Sequence, residues 1–125
     1  MTPEKAFDKI WTHFVINKAN PGWDDVNEVC SYQNEKGDQC AIGCLLPDDL
    51  REEARLNALG IAALLENSDG IRKFFRGIPV YFLKYLQNAH DLVACDIDFH
   101  SGIETQLRAF AQKYSLRIPE QENSV

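Results

Sequence analysis

The chain has 125 residues, of which 45% are hydrophobic and 26% charged, as in one ordinary globular domain rather than a disordered polypeptide. Its net charge of −6 argues against binding to nucleic acid, because proteins that grip the phosphate backbone normally carry a basic patch. The sequence has neither an apolar run of about 18 residues nor a basic segment followed by an apolar one at its start. We therefore predict no membrane span, no signal peptide and a cytoplasmic location.

The first predicted element is a helix that begins after Thr2 and ends at the breaker Asn20-Pro21-Gly22. Thr2 offers an N-cap hydroxyl, Pro3 suits the first turn, and Glu4 lies near the positive end of the helix dipole. Apolar residues then recur at helical spacing and form one stripe: Phe7, Ile10, Trp11, Phe14 and Val15.

A β-hairpin is predicted next. Residues 30–32 and 39–42 resemble two short strands, and Gly37 between them can take the positive φ of a tight turn. Residues 23–29 fit either a short helix or an irregular segment. Because two strands alone are marginally stable, we expect the hairpin to pack on helices.

The rest of the chain is predicted to be helical. A polar, acidic helix begins at Pro47 and a short apolar helix covers residues 57–66, with one or two further turns before Gly77. A strong amphipathic helix begins at Pro79 and ends near Cys95 or Asp96. Asp98 or Ser101 caps the last helix, which keeps the 3.6-residue period.

Together these elements predict an α+β fold: a mostly helical single domain with one small β-hairpin packed on helices. We place the globular domain at residues 1–118. Residues 119–125 have the polar composition of a flexible tail.

The four cysteines raise the question of a zinc site or a redox pair. Cys40 and Cys44 have a spacing that zinc accepts, Cys30 is predicted across the hairpin, and Cys95, His90 or His100 is a possible fourth ligand. Structural zinc sites usually combine two close pairs, and here there is one. A redox dithiol favours a two-residue spacer at a helix start, whereas this spacer has three residues and the predicted helix starts at Pro47. We predict free, buried thiols, no metal and no cofactor.

His90 and Asp91 are adjacent, as in metal-dependent phosphohydrolases, but the chain has no second His-Asp pair. The favoured interpretation is that His90 packs on the inner face and bonds a carbonyl or a carboxylate. An alternative is a small enzyme in which Cys40 or Cys44 lies beside His90 and Asp91. Cys40, His90 and Asp91 are thus the candidate functional cluster.

A candidate binding surface contains aromatic and basic residues. Trp23 follows a Pro-Gly turn, and Arg72, Phe75 and Arg76 belong to the segment RKFFRGIPVYF. Aromatic and arginine residues are enriched in the energetically important parts of interfaces. The same aromatics also suit a core.

Four stretches resemble a group of small phage and bacterial proteins with no established activity: EKAFDKIWTHF, a Cys-x-Tyr strand, CAIGCLLPDDL preceded by Gly-x-x, and FLKYLQNAHD. The resemblance covers residues 3–115. Its most recognisable positions are Cys40, Gly43, Pro47, Asp48, His90 and Asp91. Those proteins often have a small non-cysteine residue at the position of Cys44, which weighs against a Cys40–Cys44 pair. The resemblance implies a phage-type accessory role and nothing catalytic.

From the sequence we expect a cytoplasmic accessory protein that binds another macromolecule, most concretely a counter-defence or host-modulating inhibitor. A protein partner is expected, rather than nucleic acid or a membrane, and the oligomeric state is open. The alternative is a metal-dependent or cysteine/histidine-based enzyme that uses the region of His90 and Asp91.

Overall fold

The computed structural model describes residues 1–119. Within them lie seven α-helices, α1 Pro3–Trp11, α2 Ala41–Leu45, α3 Asp48–Asn57, α4 Ile61–Asn67, α5 Asp69–Phe74, α6 Val80–Asp91 and α7 Phe99–Lys113, and two strands, β1 Trp23–Asp24 and β2 Val29–Cys30. This confirms the mostly helical α+β domain with one small hairpin. Apart from Pro119, the predicted tail lies outside the described residues. No helix of residues 1–119 has the length and apolar character needed to cross a membrane.

The first helix begins as predicted. The hydroxyl of Thr2 accepts a hydrogen bond from the backbone N–H of Lys5 at 3.2 Å. After α1 the chain continues as a π-helix over Thr12–Ile16, so the predicted first helix is α-helical only in its first part. Phe14 is buried within this wider turn, and the apolar stripe therefore runs on without a break.

The hairpin uses different residues from those predicted. Trp23 pairs with Cys30 and Asp24 pairs with Val29, in antiparallel register. The carboxylate of Asp24 stabilises the turn because it accepts hydrogen bonds from the N–H groups of the two residues that follow Asp25. Residues 23–29, which the sequence left ambiguous, thus form most of the hairpin.

The predicted second strand at residues 39–42 is wrong, because Cys40 is the N-cap of α2. Its backbone is extended, and its sulfur accepts a hydrogen bond from the N–H of Gly43 at 3.3 Å. The expectation that a helix starts only at Pro47 is therefore also wrong. Cysteine is an uncommon cap, so the sequence offers no standard signal for a helix start here.

Two other helix boundaries differ from the prediction. The apolar helix predicted from residue 57 begins at Ile61, because Ala58 takes a left-handed conformation that ends α3. Helix α6 ends at Asp91 instead of near Cys95, and turns follow it. The predicted cap of the last helix is confirmed at Asp98, whose carboxylate accepts from the N–H of Ser101 at 3.4 Å.

The core is built around α6, which packs against α2, α4 and α7, while α1 contacts α2. Its largest fully buried side chains come from almost every helix: Phe7, Phe14, Ile10, Ile42, Leu45, Leu46, Leu64, Ile71, Leu83, Leu86, Ile103 and Leu107. The C-terminal end of α6 is therefore held rigidly by its neighbours. This end carries His90 and Asp91 and faces the hairpin.

Candidate functional site

A cleft of about 760 Å³ lies between the hairpin, the connection from α3 to α4, and the C-terminal end of α6. We call it the hairpin cleft. Its lining includes Val29 and Cys30 on β2, Asp24 on β1, and, around them, Glu35, Cys40, Arg55, Leu59, Gln87 and Asp91. The cleft thus combines apolar side chains, carboxylates and two thiols.

His90 lies behind the cleft and is fully buried. Its Nε2 accepts a hydrogen bond from the backbone N–H of Gly22 at 3.1 Å. Because an amide N–H can only donate, Nε2 carries no proton, so the ring proton is on Nδ1. Nδ1 donates this proton to Oδ1 of Asp91 at 2.9 Å. The prediction that His90 packs on the inner face and bonds a carboxylate is confirmed.

Asp91 connects the buried histidine to the cleft. Its Oδ1 also accepts from Nε2 of Gln87 at 2.6 Å, and the Cys30 thiol lies beside the carboxylate. Burial opposes ionisation, but hydrogen bonds from His90, Cys30 and Gln87 outweigh it and hold the pKa of Asp91 below its ordinary value. Asp91 is therefore a fixed carboxylate at the floor of the cleft.

The thiols beside this carboxylate are protonated at neutral pH. Burial, followed by a hydrogen bond to Asp91, raises the pKa of Cys30 far above its ordinary value. Cys40 is fully buried, and burial raises its pKa to about 12. Burial likewise raises the pKa of Cys44. Position at the start of α2 does not activate Cys40, because the desolvation of a thiolate outweighs the helix dipole.

The cluster contains Cys30 where Cys40 was predicted. One ligand atom from each of Cys30, His90 and Asp91 lies within 4.8 Å of the others. Cys40 lines the same cleft, but it is not a member of this group. The sequence placed Cys40 on a hairpin strand that was expected to meet the helix of His90, and it named Cys30 only as a possible zinc ligand. The corrected hairpin register brings Cys30 to Asp91.

The protonation of His90 makes the cluster a poor metal site. A metal ion bound at Nδ1 requires the ring proton to move to Nε2, where it would point at the N–H of Gly22. Zinc also binds cysteine as the thiolate, so a metal ion at Cys30 would have to displace the proton of a thiol whose pKa burial raises. Neither group is prepared for a metal, although three potential ligands lie close together.

The hydrogen bond from Gly22 occupies the nitrogen that an enzyme would use as a base. A cysteine nucleophile must pass its proton to a neighbour, but Nε2, the unprotonated ring nitrogen of His90, already accepts the N–H of Gly22, and Nδ1 is hydrogen-bonded to Asp91. Asp91 has a lowered pKa and Cys30 a raised one, so the proton stays on sulfur. These residues form no activated nucleophile in this arrangement.

The other two histidines and Cys95 lie elsewhere. His100 bonds the backbone carbonyls of Lys18 and Ala19 at 3.0 Å through its Nε2. Burial lowers the pKa of His13, which belongs to the π-helix. Cys95 is exposed. Among residues 1–119, none of these three joins the group formed by Cys30, His90 and Asp91.

Only three of the four residues of the predicted binding surface are accessible to solvent. Phe75 is 2% exposed and belongs to the core, so it cannot contribute to a surface. Trp23 is half-buried on β1, and Arg72 and Arg76 are exposed. Arg72 donates to the carbonyl of Leu65 at 2.9 Å and pairs with a nearby aspartate. A role in binding for the three remaining residues stays a prediction.

No family model, curated protein or solved structure gave a significant match to the chain. The resemblance to small phage and bacterial proteins is untested by these comparisons and stays a prediction. The candidate site is therefore interpreted from its own geometry.

Proposed function

We propose that the protein acts by binding another protein and that the hairpin cleft is the contact site. The observation that carries this proposal is the composition of the cleft. It is open and about 760 Å³ in volume, and its lining joins apolar side chains to hydrogen-bonding groups, while burial keeps its two thiols, Cys30 and Cys40, protonated. Such a surface is suited to holding a segment of a partner rather than to changing it chemically.

The apolar part of the cleft supports a protein partner. Val29 is 52% exposed at its edge although it lies in a strand, and Leu59 is half-buried in the opposite wall. An exposed apolar residue beside a concave site loses contact with water when a partner covers it, which favours binding. A cytoplasmic phage-type protein that inhibits or modulates a host component is the most concrete form of this proposal.

The test compares two valine substitutions of matched chemistry. Val29→Arg places a charge at the edge of the cleft, and Val80→Arg places the same charge at the opposite end of α6, where the valine is 44% exposed. Both variants are first checked for folding by circular dichroism. Tagged wild type and variants are then used to capture partners from host extract, and each captured protein is purified and its affinity measured.

We expect a purified partner to bind wild type and Val80→Arg with similar affinity and Val29→Arg at least about tenfold more weakly. Equal binding by all three proteins would remove the hairpin cleft as the contact site. Loss of binding only in Val80→Arg would place the contact site at the start of α6.

A further inference from the structure

Three carboxylates of the hairpin cleft lack a lysine or arginine partner in the described part of the chain. Asp24, Glu35 and Asp91 line it, and in residues 1–119 none of them forms an ion pair with a lysine or arginine. Arg55 is the basic residue of the lining, but its guanidinium donates to both carboxylate oxygens of Glu52, at 2.9 and 2.6 Å. The cleft therefore has an uncompensated negative charge.

Asp91 is the carboxylate best placed to receive a ligand. Its side chain is 38% exposed, so part of it remains open to the cleft. Hydrogen bonds from Nδ1 of His90 and Nε2 of Gln87 fix its Oδ1. A carboxylate that is already fixed loses little conformational freedom when it binds a cation. Asp91 is thus a prepared hydrogen-bond acceptor at the floor of the cleft.

The residues beside Asp91 indicate which other chemical groups the ligand contains. Val29 and Leu59 offer apolar surface at the edge, while Asp24 and Glu35 add negative charge on the hairpin side. An arginine or lysine has an apolar stem and a cationic tip, and both parts find complementary surface here. An acidic segment would meet only repulsion from these carboxylates.

We infer that the hairpin cleft binds a basic side chain, arginine or lysine, from an otherwise apolar segment of the partner, with Asp91 as the carboxylate that pairs with it. This inference rests on the proposed function, because it names the chemistry of the partner at the same site. The matching segment places apolar residues next to the basic one, against Val29 and Leu59.

The test uses three synthetic pentapeptides and does not require the natural partner. Their sequence is acetyl-Ala-Leu-X-Leu-Ala-amide, where X is arginine, citrulline or glutamate. Citrulline keeps the shape of arginine and removes its charge. Each peptide is titrated to millimolar concentration into isotopically labelled protein, and backbone amide shifts are followed by NMR for wild type, Asp91→Asn and the exposed control Asp96→Asn.

We expect the arginine peptide to shift the amides of Cys30, Gln87 and Asp91, with an affinity about tenfold higher than that of the citrulline peptide. The glutamate peptide should not bind. Asp91→Asn should reduce the preference for arginine over citrulline to near unity, whereas Asp96→Asn should preserve it. High salt should weaken the binding of the arginine peptide and leave that of the citrulline peptide unchanged.

The inference is overturned if no peptide shifts these amides, if arginine and citrulline peptides bind equally, or if Asp91→Asn retains the preference. Its failure is distinguishable from failure of the proposed function. A partner that is lost in Val29→Arg but shows no dependence on Asp91 would leave the proposed contact site in place and remove only its basic chemistry. Arginine-specific shifts, in the absence of any partner whose binding Val29→Arg weakens, would support the basic-ligand inference and remove the cleft as the contact site of a captured partner.

Discussion

A single backbone N–H determines the chemistry of the site at the scale of individual residues. Gly22 donates to Nε2 of His90, which places the ring proton on Nδ1 and directs it at Asp91. Hydrogen bonds, including the one from His90, outweigh burial and lower the pKa of Asp91, while burial and then the hydrogen bond to Asp91 raise the pKa of Cys30. The His90-Asp91 pair, for which an enzyme was the alternative interpretation, thus connects residue 22 to α6 and presents a carboxylate to the cleft.

His90→Ala should strongly destabilise the fold. The substitution removes a fully buried ring that packs against Phe14 and Phe99, and it leaves the buried N–H of Gly22 without an acceptor. We expect a loss of about 3 kcal/mol in the free energy of unfolding, measured by urea denaturation. Asn88→Ala, on the exposed side of the same helix, should change this value by less than about 0.5 kcal/mol. A His90→Ala variant as stable as wild type would contradict the buried position of the ring.

Asp91 should contribute to the pH dependence of stability. Because its pKa in the folded protein lies below the ordinary value of 3.8, its ionised form favours folding. This stabilisation is present above the ordinary pKa and is lost as the pH falls through the folded-state value. The difference in unfolding free energy between wild type and Asp91→Asn should therefore shrink on acidification below about pH 4. Asp96→Asn is the control, and a difference independent of pH would refute the coupling.

The four thiols should react at very different rates. Cys95 is exposed, whereas burial keeps Cys40 and Cys44 protonated and Asp91 adds to this effect at Cys30. With iodoacetamide at about pH 8, we expect rapid labelling of Cys95 and slow labelling of the other three, followed by peptide mass spectrometry. Labelling of Cys30 as fast as Cys95 would show an activated thiol and restore the enzyme alternative.

At the scale of elements, the sequence predicts best those elements whose stabilising contacts lie close together along the chain. The start of α1 at Thr2 and that of α7 at Asp98 depend on caps within three residues, and both were predicted. The hairpin is held by contacts with α6, including a hydrogen bond between residues 68 positions apart, so its register could not be read locally. For the same reason Cys30 was named from the sequence only as a possible zinc ligand, and its contact with Asp91 was not predicted.

The junction between the hairpin region and α2 depends on close backbone contact. A Cβ atom at Gly43 would overlap the backbone carbonyl of Tyr32, whereas a Cβ at Gly60 would meet open space. We expect Gly43→Ala to cost about 3 kcal/mol or more of unfolding free energy, because two backbones would have to separate. Gly60→Ala should cost less than about 1 kcal/mol. Similar costs for the two substitutions in thermal or urea unfolding would disprove the close contact.

At the scale of the whole molecule, one continuous apolar core joins the helices that surround α6. Such a core can support folding without a metal or a disulfide, and the four cysteines are free. The negative net charge of the chain also matches the carboxylates of the hairpin cleft.

Metal should therefore leave global stability unchanged. We expect the same melting temperature after treatment with EDTA and after addition of zinc, and a native mass equal to that of the polypeptide. A ligand present at 100 times its Kd adds about 2.7 kcal/mol of stability, which would raise the melting temperature of a domain of this size by several degrees. A zinc-dependent rise of that size, absent in Cys30→Ser, would establish a metal site at the cluster.

Gly22 and His90, which share a hydrogen bond, lie 68 residues apart in the sequence, and this separation affects when the cleft can form during synthesis. The hairpin leaves the ribosome well before residues 87–91, and a two-stranded hairpin alone is marginally stable. Until α6 emerges, Gly22 lacks its acceptor and Cys30 its carboxylate neighbour. The hairpin cleft therefore forms late in translation, and a truncated chain that lacks α6 would not display it.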